Sequence, residues 1–294
     1  MGDLAATGGN SNGADIRKLN PCLTAILAPV AALAIAIGMG GPASAQAQFD
    51  ARYTLSMAGI AIGKLTWRTQ LGPSDYTTSA SGGISGFLSL LVKGEGTVTA
   101  KGRIKDGQPQ PVSFVSAVER EDEKVNVEIA FDSARVRDLK VEEPPLEADR
   151  VPIAPSHKTG VIDPLSAFLI PSPVSGLDDP RSREACERTL SMFDGRRRYD
   201  LALSFKRLDI IKGEGGRQKP ALVCAVKFTP MSGHRSSSQL IKFLSEGRDI
   251  EVWLVPVTGT RILAPIRLSV ASFVGNMVLH ADQFETTAYA ASGR

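Results

Sequence analysis

The chain has 294 residues, and 34 Lys and Arg side chains against 31 Asp and Glu side chains give a formal net charge of +3. This near balance disfavours nucleic acid as a partner, because a nucleic-acid-binding surface needs a denser cluster of basic charge. The 43% hydrophobic content excludes extensive disorder, and 28 Gly and 18 Pro residues indicate many turns, as in all-β proteins.

Residues 1–45 have the pattern of a signal peptide that begins with a short polar extension. Arg17 and Lys18 precede an apolar run from Leu23 to Met39, and Ala43-Ser44-Ala45 follows as an A-x-A cleavage site. The pattern therefore predicts export to the periplasm and removal of this segment.

A transmembrane anchor is the alternative interpretation of the apolar run. A spanning helix needs about 20 apolar residues, and Gly40-Gly41-Pro42 ends the run before that length is reached. We therefore expect a mature chain that starts at Gln46 or Gln48 and does not span the membrane.

The rest of the chain consists of short segments with alternating apolar residues, separated by turn residues. The segments expected to be strands are 49–57, 62–71, 76–81, 96–104, 111–119, 125–131, 186–193, 199–208, 221–228, 240–244, 249–255, 262–270 and 276–285. The apolar segment from Ile84 to Val92 fits a short helix or a strand equally well.

One helix start stands out in the middle of the chain, with Asp163 as N-cap and Pro164 at the first helical position. Because consecutive hairpins occur without βαβ alternation, the sequence predicts an all-β fold. We expect an open or closed antiparallel β-barrel with one short helix in a central loop. It would form a single domain over residues 46–286, with a tail at 287–294.

Removal of the signal peptide would leave Cys186 and Cys224 as the two cysteines of the mature chain. An even count in an oxidising compartment predicts a disulfide, with two buried free thiols or a metal pair as alternatives. The strand at 199–208 lies between the two residues in sequence. Strands two apart in a sheet are about 10 Å from each other, whereas a disulfide needs Cα atoms within about 7 Å. Cys186 should therefore precede the regular pairing of its strand.

The sequence contains no nucleophile elbow, zinc-protease motif, phosphate-binding loop or dinucleotide fingerprint, so we expect no cofactor and no metal. The candidate site is a proline-rich loop in which His157, Lys158 and Asp163 lie close together at the helix start. These residues could share a proton or bind a ligand. Alternatively, Asp163 caps the helix and His157 holds the loop by hydrogen bonds.

Arg196, Arg197 and Arg198 form a second candidate, a basic surface at the tip of a hairpin. Such a surface could meet anionic lipid, lipopolysaccharide or peptidoglycan, where each charge contributes about 1 kcal/mol. The alternative is a solvated turn without a partner.

Several segments together resemble the uncharacterised proteobacterial envelope family called domain of unknown function 3108. They are residues 49–53, 150–164, 186–189, 193–200, 220–224 and 248–254. The resemblance covers roughly residues 48–286 and implies a periplasmic β-rich protein with no assigned activity. The overall pattern is also similar to alphaproteobacterial periplasmic proteins that form open spiral β-barrels with one disulfide and are tied to envelope integrity.

We therefore expect a monomeric β-barrel that binds an envelope component, namely a lipid, an acyl chain or an envelope protein. One alternative is a hydrolase that uses His157 and Asp163, and another is a purely structural interaction protein. A binding barrel predicts an apolar groove without a shifted titratable pair. A hydrolase predicts His157 in a cleft with a perturbed pKa.

Overall fold

The computed structural model describes residues 46–85, 94–121, 123–143, 149–212, 218–246, 249–272 and 275–289. The expected signal peptide, most of the apolar segment from Ile84 to Val92 and the last five residues of the expected tail lie outside the described residues. Within these ranges, no helix is long and apolar enough to cross a membrane.

Strands dominate the described residues, which contain fourteen of them. They are β1 (Gln46–Met57), β2 (Ile60–Leu71), β3 (Asp75–Ile84), β4 (Gly94–Lys105), β5 (Gln108–Arg120), β6 (Glu123–Asp132), β7 (Arg135–Glu142), β8 (Ile170–Pro171), β9 (Arg188–Phe193), β10 (Arg198–Lys212), β11 (Gln218–Ser232), β12 (Ile250–Pro256), β13 (Ile262–Val270) and β14 (Met277–Tyr289).

The strands form one antiparallel sheet in the order β7-β6-β5-β4-β3-β2-β1-β14-β13-β12-β11-β10-β9, and β8 pairs with β13 beside this path. Two meanders are thus joined where the first strand pairs with the last. Strand pairing does not close the sheet, because β7 and β9 lie at its two ends. The expected antiparallel β fold is confirmed, in its open form.

Tight turns explain why neighbouring strands pair along the chain. Asp106 and Gly107 both have positive φ, 51° and 74°, between β4 and β5. Ala58 and Gly59, with φ of 49° and 84°, have the same conformation between β1 and β2. Two consecutive residues with positive φ match the right-handed twist of the flanking strands, so these turns favour hairpins.

The largest cluster of buried side chains lies on the inner face of β1–β3 and also contains side chains of β11–β14. Phe49 and Trp67 meet edge to face, with ring centroids 5.2 Å apart. β13 pairs with β14 only from Arg267 to Val270. Its preceding residues, including Ile262, pack in this cluster. The C-terminal meander therefore contributes to the core of the N-terminal one.

The two ends of the sheet meet in another cluster. Phe193, the last residue of β9, is fully buried and packs with Phe114 of β5 and Ile129 of β6. Because β9 and β6 are far apart in the strand order, this contact requires the sheet to curl strongly.

A segment that we call the strap, residues 149–163, runs between the two ends of the sheet. The Val161 N–H donates to the Ala134 carbonyl in the turn before β7, at 2.9 Å. The Ile162 N–H donates to the Ser191 carbonyl of β9, also at 2.9 Å, and the Phe193 N–H donates back to Ile162 at 3.0 Å. The strap thus closes by backbone hydrogen bonds a gap that strand pairing leaves open.

The described residues contain two short α-helices, of which α1 follows the strap and α2 follows β11. Helix α1 (Pro164–Ala167) begins at the predicted N-cap, Asp163. Its Leu165 and Ala167 side chains pack with clusters on both sides of it. Helix α1 is therefore packed between these clusters.

Helix α2 (Gln239–Ser245) corrects the expectation of a strand at 240–244. The Ile241 N–H donates to the Ser238 hydroxyl, which caps the helix. Phe243 is buried, and Leu244 is half-buried against a cluster that includes Leu222 and Val252. Five apolar-rich residues fit either period, and the capping serine identifies the helix.

Other strands and boundaries also differ from the expectations. β7 and β8 were not predicted, β11 is longer at both ends, β14 continues to Tyr289 into the expected tail, and β9 starts at Arg188 rather than at Cys186. Cys186 instead ends a 3-10 turn, Pro180–Cys186.

Candidate functional site

The predicted disulfide between Cys186 and Cys224 is present, with the two Cα atoms 5.5 Å apart. Cys186 precedes β9, as the spacing argument required. The pairing of β9 with β10 ends at Arg188 and Leu203. Beyond that point the backbone N–H of Phe205 donates to the Glu187 carboxylate at 2.9 Å. Cys186 can therefore leave the sheet edge and reach over β10 to β11.

His157 and Lys158 lie half-buried in a 3-10 turn of the strap, Pro155–Lys158. The Ala154 N–H donates to the His157 Nδ1 atom at 3.2 Å. This contact closes the turn in the manner of a capping box, in which the third residue of the turn accepts from the N-cap backbone. His157 thus stabilises the local path of the strap.

Asp163 is fully buried and holds the first turn of α1. Its Oδ1 atom accepts the Leu165 N–H at 3.0 Å and the Ser166 N–H at 2.8 Å. Burial raises the pKa of Asp163 to about 6, although hydrogen bonds from Ser166 and Leu165 lower it. The Tyr76 hydroxyl donates to the Ser166 hydroxyl at 2.7 Å. These contacts connect the helix start to β3.

In the part of the chain that the structure describes, no hydrogen bond joins His157 to Asp163. Each side chain accepts backbone N–H groups of its own turn. The geometry therefore fits the capping interpretation of both residues, and it offers no acid–base pair on which to argue a hydrolase.

The three arginines of the predicted basic surface, Arg196 to Arg198, each face a carboxylate. Arg196 forms an ion pair with Glu143, and both side chains are largely buried. Arg197 lies 3.8 Å from Asp194, and Arg198 lies 2.6 Å from Asp200. The three positive charges are therefore largely neutralised within the fold.

An open apolar groove of about 640 Å³ is lined by residues of strands β1–β5, β13 and β14, which are successive neighbours in the sheet. Its apolar side chains are Leu55, Ile62, Leu65, Ala80, Ile84, Val98, Val118, Leu268, Val270, Met277 and Leu279. Four charged residues also line it, namely Lys64, Glu95, Glu119 and Arg120. Part of the concave inner face thus remains open.

Glycines make the floor of the groove. Leu65, Gly82, Gly96 and Val118 are neighbours across four strands, and therefore share the inner face. A Cβ atom at Gly82 would lie 2.6 Å from the Lys64 carbonyl oxygen, so only glycine fits there. At Gly96 the nearest neighbour of an added Cβ atom would be the Val118 Cγ2 atom of the adjacent strand, 3.3 Å away. The absence of two side chains in this row gives the groove its depth.

None of the groove residues was among the candidates named from the sequence. The available signal was Gly-Gly at 82–83 and Gly-x-Gly at 94–96, on both sides of the apolar segment from Ile84 to Val92. Glycine inside a strand marks a close backbone approach or a missing side chain. That these glycines face each other depends on the register of β3 and β4.

No group of three or more His, Cys, Asp or Glu side chains in the described ranges could hold a metal ion.

The sequence profile of a family described as "Protein of unknown function (DUF3108)" matches residues 49–282. No curated protein matches the chain.

Two solved structures are similar at low sequence identity. A β-barrel-like protein of the domain of unknown function DUF1849 from Brucella abortus is 10% identical, with 83% of this chain and 98% of that chain covered and a TM-score of 0.43. A DUF1329 family protein from Desulfovibrio piger is 9% identical, with 86% and 88% covered and a TM-score of 0.22.

Proposed function

The chain belongs to the DUF3108 family, and from that premise and its open groove we propose that it is a binding protein for an apolar component of the cell envelope. The observation that carries the proposal is the apolar groove of about 640 Å³. Small-molecule sites typically measure about 300–1,000 Å³ and are lined mainly by apolar side chains.

An acyl chain suits this groove better than a bulky ring system. The floor at Gly82 and Gly96 lets a narrow chain approach the backbone, and Leu65 and Val118 flank it. Burying a methylene group stabilises a complex by about 0.8 kcal/mol. An extended acyl tail therefore gains affinity along the whole length of the groove.

We further propose that the protein works in the periplasm as a monomer, after removal of residues 1–45. The signal pattern supports the periplasmic location. So does the Cys186–Cys224 disulfide, because disulfides persist in oxidising compartments and are rare in the cytosol.

Native mass spectrometry of protein purified from the periplasm tests the binding function. We expect an additional mass that organic extraction removes and that chromatography identifies as an acyl compound. A matched pair of variants locates it. Gly96→Leu fills the groove, whereas Thr97→Leu adds the same side chain on the outward face of the same strand.

Gly96→Leu should lose the bound mass while Thr97→Leu keeps it, with circular dichroism showing both variants folded. If the wild type carries no apolar ligand and binds no added acyl chain, the proposal is wrong. Equal retention by the two variants would also contradict it, since the ligand would then lie elsewhere.

A further inference from the structure

Arg120 has an unusual position at the mouth of the groove. It ends β5 on the same face as Val118, pairs across the sheet with Gly94, and lines the groove. A Cβ atom at Gly94 would lie 3.7 Å from the Arg120 Cγ atom, so the arginine stem passes over the glycine. No carboxylate of the described residues lies within ion-pair distance of Arg120. Among the described residues, its guanidinium is therefore free to pair with a ligand.

The other charges near the mouth differ from Arg120 in position or in pairing. Lys64, Glu95 and Glu119 occupy outward-facing positions of their strands and meet the groove at its rim. Glu119 forms an ion pair with Lys124 at 3.1 Å. Glu123 lies opposite Arg120 in the β5–β6 ladder but forms no ion pair with it and does not line the groove.

We propose that the ligand is an anionic single-chain amphiphile whose tail lies along the apolar groove and whose head group pairs with Arg120. This inference rests on the binding function proposed above and adds the chemical class of the ligand. A guanidinium binds a carboxylate or a phosphate through two parallel N–H groups. The apolar wall and the cation at its end match the two parts of such a molecule.

Competition against a neutral fluorescent probe, N-phenyl-1-naphthylamine, tests the proposal on delipidated full-length mature protein. Three competitors share a 14-carbon chain and differ in head group: myristate is anionic, monomyristin is neutral, and tetradecyltrimethylammonium is cationic. Because an exposed ion pair contributes up to about 1 kcal/mol, myristate should bind about fivefold more tightly than monomyristin. The cationic competitor should bind most weakly.

Arg120→Gln should remove the preference for myristate, so that the ratio of the two affinities falls from about fivefold to about one. Arg103→Gln is the matched control, because Arg103 is an exposed arginine on the outward face of the neighbouring strand β4. It should keep the preference. Added salt should weaken myristate binding in the wild type and in Arg103→Gln alone.

Equal binding of the three head groups, or a preference that survives Arg120→Gln, would overturn the inference about the head group. Binding of monomyristin would in that case still support the groove as a site for acyl chains. A different result, in which no competitor displaces the probe and Gly96→Leu leaves probe binding unchanged, would contradict the binding function itself.

Discussion

The three consecutive arginines that lead into β10, Arg196 to Arg198, form ion pairs that differ in burial. The side chains of Arg196 and Glu143 are 20% and 14% exposed, whereas that of Arg197 is 46% exposed. Removing one partner of a buried pair leaves a charge without compensation, which costs far more than the loss of an exposed pair. Three consecutive arginines therefore have different energetic roles.

Arg196→Ala should lower the free energy of unfolding by roughly 2 kcal/mol, and Arg197→Ala by less than about 1 kcal/mol. Urea denaturation of the two variants measures the difference. Equal effects would mean that the Arg196–Glu143 pair is solvated like its neighbour.

The buried carboxylate of Asp163 predicts a pH dependence of stability. Its folded pKa of about 6 exceeds the ordinary value of 3.8, so the folded state binds the proton more tightly. The contribution of this group to stability is therefore complete below pH 3.8 and is lost as the pH rises through 6. Asp163→Asn keeps an oxygen for the helix cap and removes the charge.

The stability of Asp163→Asn relative to wild type should increase by about 3 kcal/mol between acidic pH and pH 7.5. Thermal unfolding across this range measures it. Asp179→Asn is the control, because hydrogen bonds from Arg181 lower the pKa of Asp179. Its contribution to stability is lost as the pH falls, so its profile should have the opposite sign. Parallel profiles for the two variants would contradict the burial argument.

Among the elements, the 3-10 turn Pro180–Cys186 is joined covalently to the C-terminal meander by its last residue. Asp179 caps the turn from an exposed position, and Cys186 joins it to the centre of β11. The turn follows the strap and α1 in the chain. The disulfide therefore anchors the end of the segment that connects the two meanders.

Reduction of the disulfide should lower the thermal midpoint markedly, because closing a loop of 38 residues stabilises a protein by about 3–4 kcal/mol. It should also expose the chain to proteolysis near Asp178 to Arg183. Differential scanning calorimetry and limited trypsin digestion, each with and without reductant, measure these effects. Two free thiols in an Ellman titration of the unfolded, unreduced protein would contradict the prediction.

At the scale of the whole molecule, the position of β1 bears on the expected start of the mature chain. β1 lies between β2 and β14, and Ala47 is buried opposite Leu71 and Ala288. Cleavage after Ala47 would remove a buried residue from the centre of the sheet. Cleavage after Ala45 leaves β1 intact.

N-terminal sequencing of periplasmic protein should therefore find Gln46 rather than Gln48. Intact mass measurement provides an independent check. Recovery of chains that retain Met1 would contradict both the cleavage and the export prediction.

The sequence alone predicted most of the local structure. Alternating apolar residues located the strands, Gly and Asp marked the hairpin turns, and Asp163-Pro164 marked the start of α1. These signals are local, because strand alternation, turn conformation and capping each depend on a few consecutive residues. Helix α2 shows the limit of such signals, since five residues fit either period.

Only the tertiary structure decided how distant segments combine. The first strand pairs with the last, and the strap closes the gap between β7 and β9. Arg196 forms an ion pair with Glu143, which is more than 50 residues away in sequence. The groove is likewise not local, since Gly82, Gly96 and Arg120 share one face only in the observed register. A shift of one residue in the register of a strand would turn its residues to the opposite face. The candidate site therefore depends on long-range pairing that no short segment of sequence specifies.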